Sequence, residues 1–341
     1  MSASFDYSPD IIETIEKLTK NKDKWRDRYN DFAAKILKNL PPISNAREKF
    51  KLTSALSAYI NVTHAKAADD KKVNFTLKYL GQSVANLTVC NGGITIDTSE
   101  FDNKNKYYFD CEIKLSKAGW HTPQANAFRS HFHNREPKRT GYEERRLESL
   151  LLAEFAKGTG KALKNIQPVQ NEGLRFPMPT PLKACDHSKI EYAGNDGHID
   201  ILARIGHGGR STKLGIIELK DKYTVGEPPC KVIKQALIYT TFIRELLRSE
   251  AGVKWWKLFS FRNTLPKKLV LYSICAMPHK DGADTSFGGD SYVLEEDTIQ
   301  LHYIYFNEIN KIHSNIEIIC NSFGTTGIIR PVKLPEKTPT P

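Results

Sequence analysis

The sequence predicts an α/β protein with two folded parts. Residues 1–137 are predicted to form an α+β domain of helices and an antiparallel meander, and residues 138–325 a mixed sheet flanked by helices. Two observations predict this fold. Hydrophobic residues change from a helical period to strict alternation in the first part, and the second part has the pattern strand, strand, helix, strand. Residues 326–341, rich in proline, are predicted to be a disordered tail.

The composition indicates a partner class. The 341 residues include 50 lysines and arginines against 39 acidic residues, which gives a net charge of +11 and favours polyanionic partners such as nucleic acid. The six cysteines stand singly, without a C-x-x-C pair, so neither a disulfide framework nor a zinc ribbon is predicted. The sequence shows neither a long apolar run nor the features of a secretion signal, so we expect a cytoplasmic protein without membrane spans.

The N-terminal part begins with a helical pattern. Apolar side chains recur with a period of 3.6 between residues 9 and 40, which predicts one long helix or two consecutive helices that end at Pro41 and Pro42. A further helix is predicted over residues 46–66. Alternation then predicts an antiparallel meander with one solvated face over residues 73–116.

A polar, basic segment from Trp120 to Gly141 is predicted to link the two parts. Its histidines His131 and His133 have the spacing of metal ligands, but no acid or cysteine stands nearby, so a solvated segment that contacts phosphates is the favoured interpretation. Residues 1–137 hold no cluster of acids, histidines or cysteines at catalytic spacing, so we expect a substrate-selecting or dimer-forming domain. The alternative is that its helices only cover the C-terminal core.

The C-terminal part begins with a predicted helix from Glu143 to Lys157, followed by an irregular, proline-rich passage around residues 177–181. The other predicted elements are strands His198–Ile205, Leu214–Lys220 and Leu269–Met277, helix Lys231–Arg248, and edge strands Ile299–Phe306 and Ile316–Ile319.

Charged residues interrupt two of these apolar strands. Alternation places Glu218 and Lys220 on one face, roughly 6.5–7 Å apart along the strand. Asp200 interrupts the preceding strand, and a glycine-rich connection lets the two strands pair as a hairpin. Two carboxylates brought close together need a cation, and oxygen ligands suit Mg²⁺ or Mn²⁺. We therefore predict a metal site formed by Asp200, Glu218 and the carbonyl of Leu219.

Three motifs together resemble the PD-(D/E)xK nuclease superfamily, in particular its RecB-like branch with a Q-x-x-x-Y helix. The motifs are Gly197-His198-Ile199-Asp200, Ile216-Ile217-Glu218-Leu219-Lys220 and Gln235-Ala236-Leu237-Ile238-Tyr239. The likeness covers roughly residues 140–280 and implies a restriction-endonuclease-like core, completed by an acid on its first helix. The proline that often precedes the first acid is replaced by Ile199, which leaves the sub-family open.

The predicted first helix offers two acids, one turn apart. Glu148 is the first choice because it lies in the more apolar half of the helix, and Glu144 is the second. The alternative is a surface carboxylate paired with Arg145 or Arg146.

Three further side chains are predicted to contact substrate. Gln235 and Tyr239 share a helix face, where an amide and a phenol can hold a nucleic-acid backbone or orient Lys220. His198 lies two residues before Asp200 and is expected to contact a phosphate. The alternatives are an ordinary helix surface for the first two and a structural role for the histidine.

The resemblance implies metal-dependent hydrolysis of phosphodiester bonds, with DNA favoured over RNA as substrate. In this interpretation Asp200 and Glu218 hold Mg²⁺ or Mn²⁺, Lys220 positions the attacking water, and Glu148 assists the metal or the water. Homodimerisation is left open. The alternative function is a nucleic-acid-binding or scaffold protein that has this fold and does not cleave.

Overall fold

The computed structural model describes residues 5–45, 56–60, 71–79, 81–101, 111–132, 143–157, 165–171, 174–175, 178–184, 190–206, 211–221, 228–280, 283–309 and 315–334. The helices in these ranges are α1 (Ser8–Lys20), α2 (Lys22–Asn45), α3 (Pro123–His131), α4 (Glu143–Lys157), α5 (Pro229–Leu247) and α6 (Gly252–Leu258). The strands are β1 (Leu56–Ile60), β2 (Lys72–Tyr79), β3 (Gln82–Cys90), β4 (Gly93–Asp97), β5 (Ala118–Gly119), β6 (Ile166–Pro168), β7 (Gln170–Asn171), β8 (Leu174–Arg175), β9 (Met178–Ala184), β10 (Ile190–Ile199), β11 (Ile201–Ile205), β12 (Lys213–Leu219), β13 (Val270–Pro278), β14 (Ser291–Leu294), β15 (Asp297–Ile309), β16 (Asn315–Asn321) and β17 (Ile329–Pro331).

The N-terminal helical pattern forms two consecutive helices, α1 and α2, which meet at Asn21. The prediction that Pro41 and Pro42 end the second helix is wrong, because α2 continues to Asn45. Proline removes an N–H donor but holds φ near the helical value, so a final turn can still form after the earlier turns have packed.

The first sheet has the strand order β5-β4-β3-β2-β1-β8-β7 in the described residues. Strands β2, β3 and β4 form the predicted antiparallel meander. Its next strand is the short β5, whereas residues 111–115 form no strand, and residues 102–110 lie outside the described part. Leu115 is instead tied to Thr98 by backbone and hydroxyl hydrogen bonds.

The predicted helix over residues 46–66 is wrong where the structure describes it. Residues 56–60 form β1, which pairs antiparallel with β2, and the rest of that range lies outside the described residues. Leu56 and Ala58 are buried on one side of this strand. This segment is a strand because it pairs with β2. The hydrophobic pattern of one segment holds no information about such pairing.

The segment predicted to be a linker contains a packed helix. Thr122 caps α3 by accepting a hydrogen bond from the N–H of Ala125 at 3.3 Å, and Trp120, Phe128 and Phe132 are buried. The linker prediction is therefore wrong for residues 120–132. The remainder, including His133 of the predicted histidine pair, lies outside the described residues.

The second sheet is mixed and flanked by helices, as predicted. Its order in the described part of the chain is β17-β14-β15-β13-β12-β11-β6, with β16 paired to β15. Strands β11 and β12 form the predicted hairpin, and α5 and α6 lie between β12 and the parallel strand β13 in the chain. Apolar residues of α4 pack on one face of this sheet, and those of α5 pack on the other.

Four details of the C-terminal prediction are wrong. The described part of the passage around residues 177–181 begins at Met178 and belongs to β9, which pairs with β10; an edge strand tolerates the missing N–H donors of its prolines. The strand predicted over residues 198–205 is two strands, broken at Asp200. Strand β15 lies inside the sheet rather than at its edge, between β13 and β14. Residues 329–331 of the predicted tail form β17, while residues 335–341 lie outside the described part.

The two predicted parts share one core. The ring of Phe242 in α5 lies edge-on to Trp25 and Tyr29 of α2, with centroids 5.8 and 5.3 Å apart. The indole N–H of Trp255 in α6 donates to the carbonyl of Tyr29 at 3.0 Å. Strand β1 also pairs with β8. Residues on both sides of the predicted boundary at residues 137 and 138 thus contribute to the same sheet and core. None of the helices described here is long and apolar enough to cross a membrane.

Candidate active site

A break in one strand places the first acid. Asp200 lies at the bend between β10 and β11, and pairing of Ile201 with Ile217 sets it beside Glu218 across the hairpin. The Asp200 carboxylate accepts a hydrogen bond from the N–H of Leu219 at 2.8 Å. The bend thus turns this carboxylate toward the end of β12.

Lys220 follows directly after β12 and is held between two acids. Its Nζ donates to Oε1 of Glu218 at 3.2 Å and to Oε1 of Glu144 on α4 at 3.3 Å. Its backbone N–H bonds to the carbonyl of Ala276 in β13 at 2.9 Å. Glu218 is buried, whereas the side chain of Glu144 is 42% exposed. The ammonium therefore lies where the covered interior meets solvent.

The negative charge of this site is concentrated. Burial raises the pKa of Asp200 well above its ordinary value, and the charges of Glu218, Glu144 and Glu148 raise it further. The hydrogen bond from Leu219 acts in the opposite direction. Four carboxyl groups from three elements therefore lie within electrostatic reach of one another, so the site favours cations.

Both predicted helix acids lie at the site. Glu144 contacts Lys220, and Glu148 accepts a hydrogen bond from the hydroxyl of Tyr59 in β1 at 3.3 Å. Arg146, one of the two suggested surface partners, donates to Glu308 of β15 at 2.5 Å. The structure thus gives each acid a different contact in the site, and the choice between them stays a prediction.

The three residues predicted to bind substrate lie in different surroundings. Tyr239 is buried on α5; burial raises its pKa, and so does the charge of Glu218. Gln235 is partly buried one turn earlier on the same helix. His198 is exposed in β10, opposite Pro179 of β9. Of the three, Tyr239 is placed beside the carboxylates, and the substrate contacts themselves stay predictions.

Two residues near the site, Lys78 and Tyr59, were not predicted from the sequence, and both belong to the first sheet. The Nζ of Lys78 in β2 lies 4.3 Å from the ring centroid of Tyr59. Burial lowers the pKa of Lys78, while the charge of Glu148 acts in the opposite direction. The turn after β2 comes very close to α4: a Cβ on Gly81 would lie only 2.2 Å from the carbonyl oxygen of Arg145 in that helix. Glycine at this position therefore allows the first sheet to pack against α4. Such contact between distant segments leaves no local signal beyond a glycine in a turn.

The chemistry of this donor set fits the predicted metal. Mg²⁺ is commonly held by one or two carboxylates together with water and substrate oxygens, and Asp200 and Glu218 supply such a pair. Among the residues that the structure describes, no group of three or more histidine, cysteine, aspartate or glutamate side chains is already arranged around a metal position. The site therefore fits Mg²⁺ in the type and charge of its ligands, and the described residues are not yet arranged around an ion.

Comparisons with protein-family models, with curated proteins and with solved structures find no match to this chain.

Proposed function

We propose that this chain is a metal-dependent nuclease that hydrolyses phosphodiester bonds, with DNA as its favoured substrate. One observation carries the proposal: Lys220 is held between Glu218 and Glu144, beside the carboxyl of Asp200. An acid pair with a lysine at the end of a strand supplies both a cation site and a positive charge for a phosphate. The net charge of +11 also favours a polyanionic substrate.

The arrangement of elements supports the same proposal. A helix with acids (α4) precedes the β11–β12 hairpin, which is followed by α5 and the parallel strand β13. This is compatible with a restriction-endonuclease-like core, in which a mixed sheet is flanked by helices and the first helix contributes an acid. One fold can serve many activities, so the residues of the site, rather than the fold, carry the proposal.

Each side chain of the site has a separate role in the proposed reaction. Asp200 and Glu218, with the Leu219 carbonyl, would hold Mg²⁺ or Mn²⁺. When bound, this ion polarises the phosphate and makes water more acidic. Lys220 places a fixed positive charge where negative charge develops on the phosphate oxygens, and it orients the attacking water. Glu148 or Glu144 receives a proton from that water, while Tyr239 contacts the substrate backbone.

The test is cleavage of supercoiled, linear and single-stranded DNA and of RNA, with Mg²⁺ and with EDTA. The full chain should cleave DNA in Mg²⁺ alone, and Glu218→Gln should be inactive while its circular dichroism spectrum is unchanged. Undiminished cleavage in EDTA, or equal cleavage by the variant, would contradict the proposal.

A nucleic-acid-binding protein that does not cleave is the second candidate. It is favoured by the two bonds of Lys220, which neutralise part of the charge that would attract a metal. Salt-dependent DNA binding without cleavage under any of these conditions would select this candidate.

A further inference from the structure

The first sheet reaches the carboxylate cluster through two side chains. Ser57 pairs with Lys78 across β1 and β2, so Tyr59, two residues further along β1, is a diagonal neighbour of Lys78 on the same face. The Lys78 ammonium lies over the Tyr59 ring, and the Tyr59 hydroxyl donates to Glu148. Lysine, phenol and carboxylate thus form a chain from the sheet to the site.

We infer that Lys78 is a positioning residue of the active site, acting through Tyr59 and Glu148; this inference rests on the proposed nuclease function. The cation fixes the tyrosine ring by a cation–π contact, and the ring in turn fixes the Glu148 carboxylate. Lys78 also opposes the negative charge that Glu148 shares with Asp200, since both carboxylates act on this ammonium. The first sheet therefore forms part of the catalytic site and is more than a module for substrate selection.

The packing supports a functional reading of this lysine. Tyr59 is buried in the same apolar cluster as Leu147 and Leu151 of α4, so the ring has few alternative orientations. A lysine beside such a cluster loses hydration, and this loss is costly unless other groups compensate the charge. Here the Tyr59 ring and the charge of Glu148 do so. A leucine or methionine at position 78 would fill the same space without that cost.

The experiment measures steady-state cleavage of DNA in Mg²⁺ by four full-length variants. Lys78→Met should lower kcat by about 10- to 100-fold with KM unchanged, as expected when a residue that orients another catalytic group is lost. Lys78→Arg, which keeps the charge and the contact with the ring, should restore most of kcat. Tyr59→Phe should lower kcat by removing the hydroxyl from Glu148. Lys72→Met is the matched control, because Lys72 is an exposed lysine at the other end of β2.

A second step tests whether the effect passes through Glu148. In a Glu148→Gln background, Lys78→Met should have no further effect on kcat. A full additional loss there would overturn the positioning role.

The remaining outcomes separate this inference from the proposed function. Absence of Mg²⁺-dependent cleavage by the wild-type chain would refute the nuclease proposal, and the role of Lys78 with it. Cleavage by wild type together with equal kcat in Lys78→Met and Lys72→Met would refute the inference alone. A raised KM with normal kcat would mean that Lys78 only attracts substrate, which also overturns it. If Lys78→Met fails to fold, Tyr59→Phe decides: normal kcat in that variant refutes the inference.

Discussion

Acid should destabilise this protein through one buried histidine, His302 of β15. Its side chain is fully buried, and its ring lies 4.4 Å from that of Tyr272 and 5.0 Å from that of Phe323, measured between centroids. A hydrogen bond of 3.0 Å joins its Nδ1 to the hydroxyl of Ser322. Burial lowers the pKa of His302 from 6.5 to about 4. The folded protein thus keeps this imidazole neutral at pH values where the unfolded chain would protonate it.

The size and sign of the effect follow from this difference. The pKa of His302 is lower in the folded state, so the unfolded state binds the proton first as the pH falls. Above pH 6.5 the histidine contributes no pH dependence. The free energy of unfolding then decreases between pH 6.5 and about 4, and the whole loss is about 3 kcal/mol. Such a loss is a large fraction of the stability of a typical domain.

Urea unfolding of wild type and His302→Phe at several pH values between 4 and 7.5 measures this loss. The phenyl ring fills the space without titrating, so the variant should lose less stability on acidification, by about 3 kcal/mol over the window. The comparison between the two proteins cancels the titration of distant groups. His121→Gln, at an exposed position, is the control and should behave as wild type. An identical pH dependence in wild type and His302→Phe would refute the reasoning.

Three further outcomes are expected. Lys220→Ala should lower turnover by orders of magnitude while the free energy of unfolding is largely kept, because the proposed mechanism places this lysine at the developing charge of the phosphate. Lys213→Ala, at the start of the same strand, should retain wild-type turnover. Asp200→Asn should abolish cleavage. It should also raise the melting temperature measured in EDTA, because the substitution removes one of several carboxylates that repel one another. A lower melting temperature would contradict this. Residues 138–341 expressed alone should show no cooperative thermal transition by circular dichroism, because the aromatic rings of α5 and α6 no longer pack against α2. A sharp transition would show that this part folds by itself.

The fold could be predicted where an element carries its own pattern. The bounds of α4, β12 and α5 follow from periodicity: each helix buries one face on the second sheet, and β12 is a strand of that sheet buried on both faces. Strand β1 and helix α3 were missed for a different reason. The strand conformation of β1 depends on its pairing with β2, and the few buried side chains of α3 stand within a strongly basic segment.

The candidate site also has one part that could be predicted from the sequence and one part that could not. Asp200, Glu218 and Lys220 belong to one hairpin, so their proximity follows from local alternation and a short connection. Lys78 and Tyr59 come from the first sheet, and they reach the site because that sheet packs against α4. Nothing in their own segments encodes that packing, so the structure was needed to find them.

Two aspartates of this molecule have pKa values that their surroundings shift in opposite directions. Burial alone would raise the pKa of Asp297, but hydrogen bonds from Arg248 and from the backbone, together with the charge of Arg244, bring it below the ordinary value. Burial likewise raises the pKa of Asp200, and the charges of neighbouring carboxylates raise it further. Ionised Asp297 stabilises the fold, whereas ionised Asp200 costs stability until a cation approaches. A charge arrangement that opposes folding is typical of functional sites, and this contrast supports the proposal that the acids around Lys220 form a catalytic centre.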